Sequence, residues 1–312
     1  MYTPAFLLAA GLAGFLGGIW VLRHGLEQMA MERLPQILQR FVKTPTRGLI
    51  TGTVVSALLH SSAAVTVITI GFVSAGTMTF ADSLGVILGS NIGTTVTTQI
   101  VAWNPDDLIF PCTVLGVLMW FALKGKKRYL GLAVFGFGAT LFALNMMTRA
   151  LAPLGDTDWF PDVLQASSQN PIYGVLAGAG LTALVQSSTA TTALTIAMAG
   201  QGLIDLPGAI AIVFGNNVGT CITAVLAAIG SPLPAKRVAA AHVLLNVAGV
   251  LAFLPILDLF SRAVQLFSSS LPVQVATAHT LFNIASSLAV WPFTGVFARL
   301  IEWMVPGRGK AE

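Results

Sequence analysis

The stretch HSSAAVTVITI at residues 60–70 is repeated later in the chain as QSSTATTALTI at residues 186–196. A second shared phrase follows each copy at the same distance, GSNIGTT at 89–95 and GNNVGTC at 215–221. The starting positions of both pairs differ by 126 residues. A fixed period of this kind indicates that a whole structural unit has been duplicated.

The duplication covers residues 45–98 and 171–224, which align without a gap at the same offset. This alignment contains 17 identical residues in 54 positions. The retained residues are mainly glycine and polar, and they include the pairs Gly48/Gly174, Gly52/Gly178, Ser61/Ser187, Ser62/Ser188, Thr66/Thr192, Asn91/Asn217, Gly93/Gly219 and Thr94/Thr220. Because the apolar residues between them change, the pattern predicts a duplicated site as well as a duplicated scaffold.

The composition places this site in a membrane. Hydrophobic residues form 55% of the chain, charged residues 9%, and the mean hydropathy is +0.82. Soluble domains contain roughly 25% charged residues. We therefore expect a single integral membrane domain in contact with the lipid bilayer. The net charge of +4 gives no reason to expect a nucleic-acid partner.

Seven apolar stretches approach the ~20 residues that a helix needs to cross the hydrocarbon core. They cover residues 5–24, 82–101, 109–123, 130–150, 208–229, 238–258 and 275–303. The segments 45–76 and 171–202 differ, because each has a polar kernel (HSS or QSST) between two apolar arms. This pattern predicts a helix, a break and a returning helix, which is a re-entrant hairpin. Irregular backbone at membrane depth is tolerated where it lines a cavity or is buried in protein, so the kernels are the candidate site.

The positive-inside rule orients these segments. Basic residues cluster at 33–47, 124–128, 236–237 and 308–310, whereas acidic residues cluster at 106–107 and 156–162. With the basic loops in the cytoplasm, the N-terminus lies outside and the C-terminus inside. Three crossings and one hairpin separate equivalent points of the two repeats. Because three is odd, the second repeat is inverted relative to the first, and the two hairpins enter from opposite faces.

The predicted fold is therefore an all-α integral membrane protein built from two inverted repeats. The first repeat covers residues 1–128 with its hairpin at 45–76, and the second covers 129–260 with its hairpin at 171–202. Residues 261–312 form an additional C-terminal transmembrane helix and a cytoplasmic tail. Inverted repeats of this kind are typical of secondary transporters that bind their substrate at the repeat interface.

The chemistry of the kernels follows from their neutral residues, since neither the kernels nor the two later phrases contain Asp or Glu. Hydroxyls and helix N-terminal N–H groups donate hydrogen bonds to an anion, and a tetrahedral oxyanion fits such a site. The oxygens of Thr, Ser, Asn and Gln suit sodium equally well. A neutral site that binds an anion together with cations is typical of a symporter.

These residues resemble a known family. QSST at 186–189 within TATTALTI, the two G[SN]N[IV]GT phrases and the AHxLxN sequences at 241–246 and 278–283 are similar to the type II sodium-dependent phosphate cotransporters and their bacterial relatives. The resemblance implies sodium-driven import of inorganic phosphate across a bacterial inner membrane. It covers the membrane part of the family, and we expect no C-terminal soluble regulatory domain.

The resemblance also implies the ligands. Phosphate would be bound by Ser61, Ser62, Gln186, Ser187, Ser188 and Thr189, with Asn91 and Asn217 lining the same cavity. Sodium would be bound by Thr66, Thr94, Thr192, Thr220, Asn91 and Asn217. The chain departs from the family pattern at His60, where Gln is usual, and at Ala63, where a third hydroxyl is usual.

Several histidines have two interpretations. His60 is either a neutral hydrogen-bonding partner or a titrating ligand that makes transport pH-sensitive, since an unperturbed histidine titrates near pH ~6.5. His242 with Asn246, and His279 with Asn283, lie four residues apart on one helix face. We expect these pairs to join helices, and a ligand role is the alternative.

Other functions are also considered. A sodium- or proton-coupled transporter of another small anion, or a passive anion channel, would use the same repeats. A membrane hydrolase is disfavoured because the chain has no GxSxG motif and His60 directly precedes Ser61. We therefore expect no enzymatic activity and no cofactor, with Na+ as the coupling ion, in a multi-pass plasma-membrane protein that is able to form homo-oligomers.

Overall fold

A computed structural model describes residues 4–30, 36–37, 42, 44–103, 105–155, 157, 164 and 166–307. Every regular element in this part of the chain is helical, in agreement with the predicted all-α class. Five of the basic residues used to orient the chain lie outside the described residues: Arg33, Arg40, Lys43, Arg308 and Lys310.

The structure describes thirteen α-helices with both of their ends. In chain order they are α1 (Pro4–Ala30), α2 (Pro45–Leu59), α3 (Ser62–Ser74), α4 (Phe80–Trp103), α5 (Ile109–Ala122), α6 (Arg128–Gly155), α7 (Pro171–Val185), α8 (Ser188–Gly200), α9 (Leu206–Ala228), α10 (Leu233–Phe253), α11 (Leu257–Gln265), α12 (Leu271–Val290) and α13 (Thr294–Met304). Short 3₁₀ turns precede α5, α6, α11 and α13.

Six helical stretches among the described residues are long and apolar enough to cross a membrane. They are Pro4–Met29, Phe80–Trp103, Gly125–Pro153, Leu206–Ala228, Leu233–Gln265 and Leu271–Met304. A chain with this many such stretches is a multi-pass membrane protein. The one predicted span without a counterpart among these six, 109–123, corresponds to the shorter helix α5, which has 14 residues.

The predicted single span at 275–303 differs from the structure, which divides it into α12 and α13. The break is the 3₁₀ turn Trp291–Phe293, which contains Pro292. Proline removes a backbone donor, and its ring clashes with the preceding helical turn, so a regular helix is interrupted there. Pro255 has the same effect between α10 and α11, within the turn Leu254–Ile256.

Two helix pairs correspond to the duplicated sequence. Helices α2 and α7 both have 15 residues, and α3 and α8 both have 13. Thr44 and Asn170 cap the first helix of each pair through their side chains, and a proline follows each cap. Proline is suited to the first helical position because its missing N–H would have no intrahelical acceptor. Both pairs therefore begin and end at equivalent positions of the two repeats.

Glycines allow the first helix of each pair to pack closely on the long helix that follows. A Cβ atom at Gly89 of α4 would overlap the carbonyl oxygen of Leu49 in α2. A Cβ atom at Gly215 of α9 would overlap the carbonyl oxygen of Val175 in α7. Small residues at such crossings are typical of helix packing in membranes, where backbones approach closely. The α2–α4 and α7–α9 contacts are thus the same contact made twice.

The second helix of each pair packs against the long helix of the other repeat. Helix α3 contacts α9, and α8 contacts α4. Helix α12 contacts α4, α8 and α9, so the additional C-terminal segment is part of the core. The hydroxyl of Ser287 in α12 donates to the carbonyl oxygen of Leu88 in α4 at 3.0 Å. The two broken helix pairs are therefore held together by α4, α9 and α12.

Candidate functional site

The first polar kernel is a break between α2 and α3. Helix α2 ends at Leu59, and His60 has left-handed backbone angles of φ 52° and ψ 32°. Ser61 is extended, with φ −154°, and its Oγ accepts a hydrogen bond from the backbone N–H of Ala64 at 3.1 Å. Ser61 is therefore the N-cap of α3, and the chain changes direction at His60.

The second kernel has the same backbone geometry. Gln186 ends α7 with φ 54° and ψ 29°, and Ser187 is extended with φ −145°. The Oγ of Ser187 accepts from the backbone N–H of Ala190 at 3.2 Å. Among the described residues, His60 and Gln186 are the non-glycine residues with positive φ. Residues without glycine's freedom rarely adopt this conformation, and it occurs preferentially at functional positions.

Each kernel therefore presents the N-terminus of a 13-residue helix. The first N–H groups of a helix have no intrahelical acceptor, and the helix dipole makes this end partly positive. Beside these groups lie the hydroxyls of Ser62 and Thr189, which are buried, and of Ser188, which is half-buried. The side chain of Gln186 is exposed. The six predicted phosphate ligands thus lie at two equivalent helix starts.

Two contacts of His60 distinguish the first kernel from the second. Its Nδ1 lies 2.8 Å from Oγ1 of Thr97 in α4. Its carbonyl oxygen accepts a hydrogen bond from Nε of Arg23 in α1 at 2.8 Å. An arginine within an apolar helix is a sequence signal for a contact inside the protein. The spacing of residues in the sequence did not show that Arg23 makes its contact with the first kernel.

The predicted ligand Asn91 belongs to a buried polar network. Its Oδ1 lies 3.1 Å from Nε2 of His242, and its Nδ2 donates to Oδ1 of Asn246 at 3.2 Å. Asn246 also donates to the carbonyl oxygen of His242 at 2.8 Å. The network joins α4 to α10. His242 and Asn246 therefore act as the predicted contact between helices, and they orient the amide of Asn91.

The second His and Asn pair makes a comparable contact from α12. Nδ1 of His279 lies 3.1 Å from Oγ1 of Thr98 in α4, and Asn283 donates to the carbonyl oxygen of His279 at 2.9 Å. One residue further along each helix, Gln99 donates to Oγ1 of Thr280 at 2.8 Å. These contacts explain how the C-terminal helix is attached to α4.

The predicted sodium ligands are not equivalent in the two repeats. Oγ1 of Thr192 lies 3.1 Å from the side-chain amide of Asn216, which also lies 3.1 Å from Oγ1 of Thr182. The equivalent threonine in the first repeat, Thr66, is fully buried, and its Oγ1 has no hydrogen-bond partner among the residues that the structure describes. The residue that corresponds to Asn216 is Ser90. The first repeat thus has a shorter side chain where the second has an amide.

The side chain of Ser90 does not replace the missing amide. Its Oγ donates to the carbonyl oxygen of Ile87 at 2.9 Å within the same helix. The hydroxyl of Ser56, which corresponds to Thr182, donates to the backbone carbonyl of Ser90 at 3.0 Å. A buried hydroxyl without a partner costs free energy, so its position in a native structure requires an explanation such as a bound ion or water.

The remaining predicted ligands lie on α4 and α9. Thr94 is buried, whereas Thr220 is half-buried and donates to the carbonyl oxygen of Asn216 at 2.9 Å. Asn217 is buried, and its Nδ2 donates to the carbonyl oxygen of Val213 at 2.8 Å, one turn earlier in the same helix. Unlike Asn91, Asn217 therefore uses its amide nitrogen within its own helix.

Two equivalent pairs of short helices, packed among long apolar helices, define this chain as a multi-pass helical membrane protein with a duplicated polar motif. Residues 15–149 and 151–271 match the Na+/Pi-cotransporter family, and the chain belongs to that family. The match covers both kernels and both long helices that follow them.

Three relatives show how the similarity is distributed. The chain is 35% identical over 254 residues to the uncharacterized protein YqeW of Bacillus subtilis (strain 168), covering 81% of this chain and 83% of that protein. It is 28% identical over 269 residues to the Putative inorganic phosphate export protein YjbB of Escherichia coli (strain K12), covering 85% of this chain and 49% of that protein. The chain therefore spans about half the length of YjbB.

A shorter match is stronger in identity. The chain is 47% identical over 81 residues to the sodium-dependent phosphate transport protein 2C of Homo sapiens, which is 25% of this chain and 14% of that protein. No solved structure matches the chain.

Proposed function

We propose that this chain is a sodium-coupled symporter of inorganic phosphate that works by alternating access. Membership of the Na+/Pi-cotransporter family supports phosphate and sodium as the transported ions. The names of two relatives, a phosphate export protein and a sodium-dependent phosphate transport protein, support the same substrate. The proposal includes no cofactor.

The observation that carries the proposal is the equivalence of the two kernels. His60 and Gln186 have backbone angles that agree within 3°, and Ser61 and Ser187 cap the following helices in the same way. Two helix N-termini directed at one anion would supply backbone donors and partial positive charge without a fixed cationic ligand. Phosphate would be held between them by the predicted ligands Ser61, Ser62, Gln186, Ser187, Ser188 and Thr189, with Asn91 and Asn217 at the cavity wall.

Sodium would neutralise the charge of the bound phosphate. Of the predicted ligands Thr66, Thr94, Thr192, Thr220, Asn91 and Asn217, we favour Thr66, because its oxygen is buried and has no partner among the described residues. Thr192 already contacts Asn216. Oxygen atoms of hydroxyls and amides are suitable ligands for a small hard cation. The two repeats would then contribute unequally to cation binding.

We place the chain in the membrane as two inverted repeats, residues 1–128 and 129–260, followed by residues 261–312. At ~1.5 Å per residue, helices of 15 and 13 residues are too short to cross a hydrocarbon core of ~30 Å. Each pair would therefore enter and return on one side as a re-entrant hairpin. The N-terminus would lie outside and the C-terminus in the cytoplasm of a bacterial inner membrane, because the basic loops then face inward.

The direction of net transport is a separate question, since the name of YjbB indicates export. A symporter follows the combined sodium and phosphate gradients, so the same binding geometry is compatible with import and export. We favour import because a cell maintains sodium at a lower concentration inside. A passive anion channel would use the two kernels without requiring sodium.

Transport by the purified chain in proteoliposomes tests the proposal. We expect saturable uptake of labelled phosphate that requires a sodium gradient in the direction of uptake and reverses when the gradient is reversed. Equal uptake with potassium in place of sodium would refute sodium coupling. Uptake that does not saturate would indicate a channel.

Variants connect the activity to the kernels. Replacing Ser62 and Ser188 by alanine should abolish uptake while the protein retains its thermal stability, because these hydroxyls lie at the two helix starts. The matched control is Ser269→Ala, since Ser269 is exposed and lies before α12. Normal uptake by the double variant would place the substrate elsewhere.

A further inference from the structure

Helices α5 and α6 enclose an apolar groove on the surface of the protein. Its volume is about 180 Å³, and its walls are formed by Val117, Trp120, Phe121, Leu132 and Phe135. Of the 14 residues in α5, Gly116 is the one that is buried. The groove is therefore open to the surroundings of the membrane domain.

Two glycines fix the floor of the groove. A Cβ atom at Gly116 would overlap the backbone of Phe135, and a Cβ atom at Gly131 would lie 2.5 Å from the backbone nitrogen of Trp120. The two helices thus touch through their backbones at this level. Because the contact is between backbones, the groove is a fixed feature of the surface rather than a gap between mobile side chains.

A basic depression adjoins one end of this groove. It has a volume of about 390 Å³ and is lined by Gln28, Gly125, Lys126, Arg128 and Tyr129. It belongs to the turn KGKKR at 124–128, in which four of five residues are basic and all five are exposed. Among the described residues that line the depression, two are basic and none is acidic.

Arg128 and Trp120 connect the two features. The guanidinium carbon of Arg128 lies 4.1 Å from the ring centroid of Trp120 and 5.5 Å from that of Tyr129. The same Trp120 ring forms part of the groove wall. Stacking on aromatic rings restricts a guanidinium while leaving its N–H groups available for bidentate contact with a phosphate. A cationic donor is thus held at the mouth of an apolar groove.

We propose that this surface, formed by the α5–α6 groove and the basic turn 124–128, binds one anionic phospholipid. An acyl chain would lie in the groove, and the phosphate of the headgroup would contact Arg128 and the neighbouring lysines. Tryptophan and tyrosine are enriched at the level of the headgroups, where Trp120 and Tyr129 would lie. Basic pockets between membrane helices are suited to anionic headgroups, because each basic residue near the bilayer surface adds attraction. A free phosphate ion would satisfy the basic turn but would leave the apolar groove without an occupant.

The experiment uses the full chain purified in detergent. Thermal unfolding is followed during titration with phosphatidylglycerol, with phosphatidylcholine and with inorganic phosphate. We expect phosphatidylglycerol to raise the unfolding midpoint more than phosphatidylcholine does. Arg128→Gln should weaken binding and raise the half-saturating phosphatidylglycerol concentration by about fivefold, the effect expected for one basic residue at a bilayer surface. Lys236→Gln is the matched control, since Lys236 is exposed and basic but lies on α10.

A second variant separates the headgroup from the acyl chain. Leu132→Trp fills the groove and should weaken the response to phosphatidylglycerol without changing the response to inorganic phosphate. Native mass spectrometry should then show loss of one bound lipid in both variants but not in Lys236→Gln. An equal response to phosphatidylglycerol in Arg128→Gln and Lys236→Gln would overturn the proposal. A response to inorganic phosphate that disappears in Arg128→Gln would instead assign the basic turn to free phosphate and would also overturn it.

Discussion

The difference between Thr66 and Thr192 provides a sharp test of where sodium binds. Both threonines are fully buried at equivalent positions of the duplicated helices. Thr192 contacts the amide of Asn216, whereas Oγ1 of Thr66 has no hydrogen-bond partner in the described part of the chain. Replacing each threonine by valine keeps the size of the side chain and removes the hydroxyl. The two variants should therefore differ in stability, and Thr66→Val should change the sodium dependence of transport.

The expected magnitudes follow from these contacts. Thr192→Val leaves the buried amide of Asn216 with one partner fewer, which costs about 1–3 kcal/mol. Thr66→Val breaks no hydrogen bond within the protein and removes an unpartnered polar atom, so its stability without sodium should be equal to or higher than that of the wild type. Interactions with charged groups contribute about 1.5–3 kcal/mol. Loss of one sodium ligand should therefore raise the half-saturating sodium concentration by roughly tenfold or more.

The assay has two parts. Thermal unfolding in sodium-free buffer ranks the stability of the two variants, and phosphate uptake into proteoliposomes at increasing sodium concentration gives the half-saturating value. If Thr66→Val destabilises the protein as much as Thr192→Val, its hydroxyl has a structural partner and the reasoning is wrong. The reasoning is also wrong if Thr66→Val leaves the sodium dependence of uptake unchanged.

A third variant, Ser90→Asn, gives the first repeat the asparagine that the second repeat has at Asn216, and so removes the difference between the two repeats. Asn216 lies beside Gly178, and the residue of the first repeat that corresponds to Gly178 is Gly52, so the first repeat has the same small residue at this position of the sequence. An asparagine at position 90 should offer its amide to Thr66 and compete with sodium. We expect greater stability in sodium-free buffer and a weaker response of uptake to sodium. A variant that responds to sodium as the wild type does would contradict the proposed ligand role.

Two further predictions concern packing and the first kernel. Gly89→Ala should destabilise the fold by about 1–3 kcal/mol. The effect should lie at the upper end, because the added methyl group meets the backbone oxygen of Leu49, which cannot rotate away as a side chain could. Gly71→Ala is the control, since its methyl group meets nothing within 4 Å, and equal thermal midpoints of the two variants would contradict the packing argument. His60→Gln should fold, since Gln186 adopts the same left-handed conformation, but it removes the imidazole that contacts Thr97. Because Nδ1 of His60 contacts Thr97, we expect His60 to act as a neutral hydrogen-bonding partner, so the ratio of variant to wild-type uptake should stay constant as the pH is varied around neutrality. A ratio that changes there would instead assign His60 as a titrating ligand.

The limits of the two segments made of a helix, a break and a second helix were predicted closely from the sequence. The expected limits 45–76 and 171–202 compare with helix pairs at 45–74 and 171–200 in the structure. The signals are local, because a proline after a capping residue starts each pair and a serine N-cap follows each kernel. Local patterns of this kind depend on neighbouring residues and are therefore visible in the sequence.

Contacts between residues far apart in the chain were harder to predict from the sequence. Arg23 lies near the end of the predicted span 5–24, yet it donates to the carbonyl oxygen of His60, 37 residues later. Asn91 was predicted as a ligand from its motif, and its contacts with His242 and Asn246 join residues about 150 positions apart. No periodic pattern specifies such a pair, because the choice of partner depends on how helices pack. Pro292 was a local signal for the break within 275–303, but the continuous hydropathy of this stretch favoured a single span.

The sequence by itself determined that this is a multi-pass helical membrane protein with a duplicated polar motif, since composition, span length and repetition follow directly from residue order. It also determined that the two motifs differ chemically, because His60 corresponds to Gln186 and Ser90 to Asn216 in the alignment of the repeats. Tertiary structure alone decided what that inequality means. It pairs Thr192 with Asn216, gives Thr66 no hydrogen-bond partner within the described ranges, and brings Arg23 and Thr97 to His60. The physical reason is that hydrogen bonds and burial depend on distances between helices, which the linear order of residues does not contain.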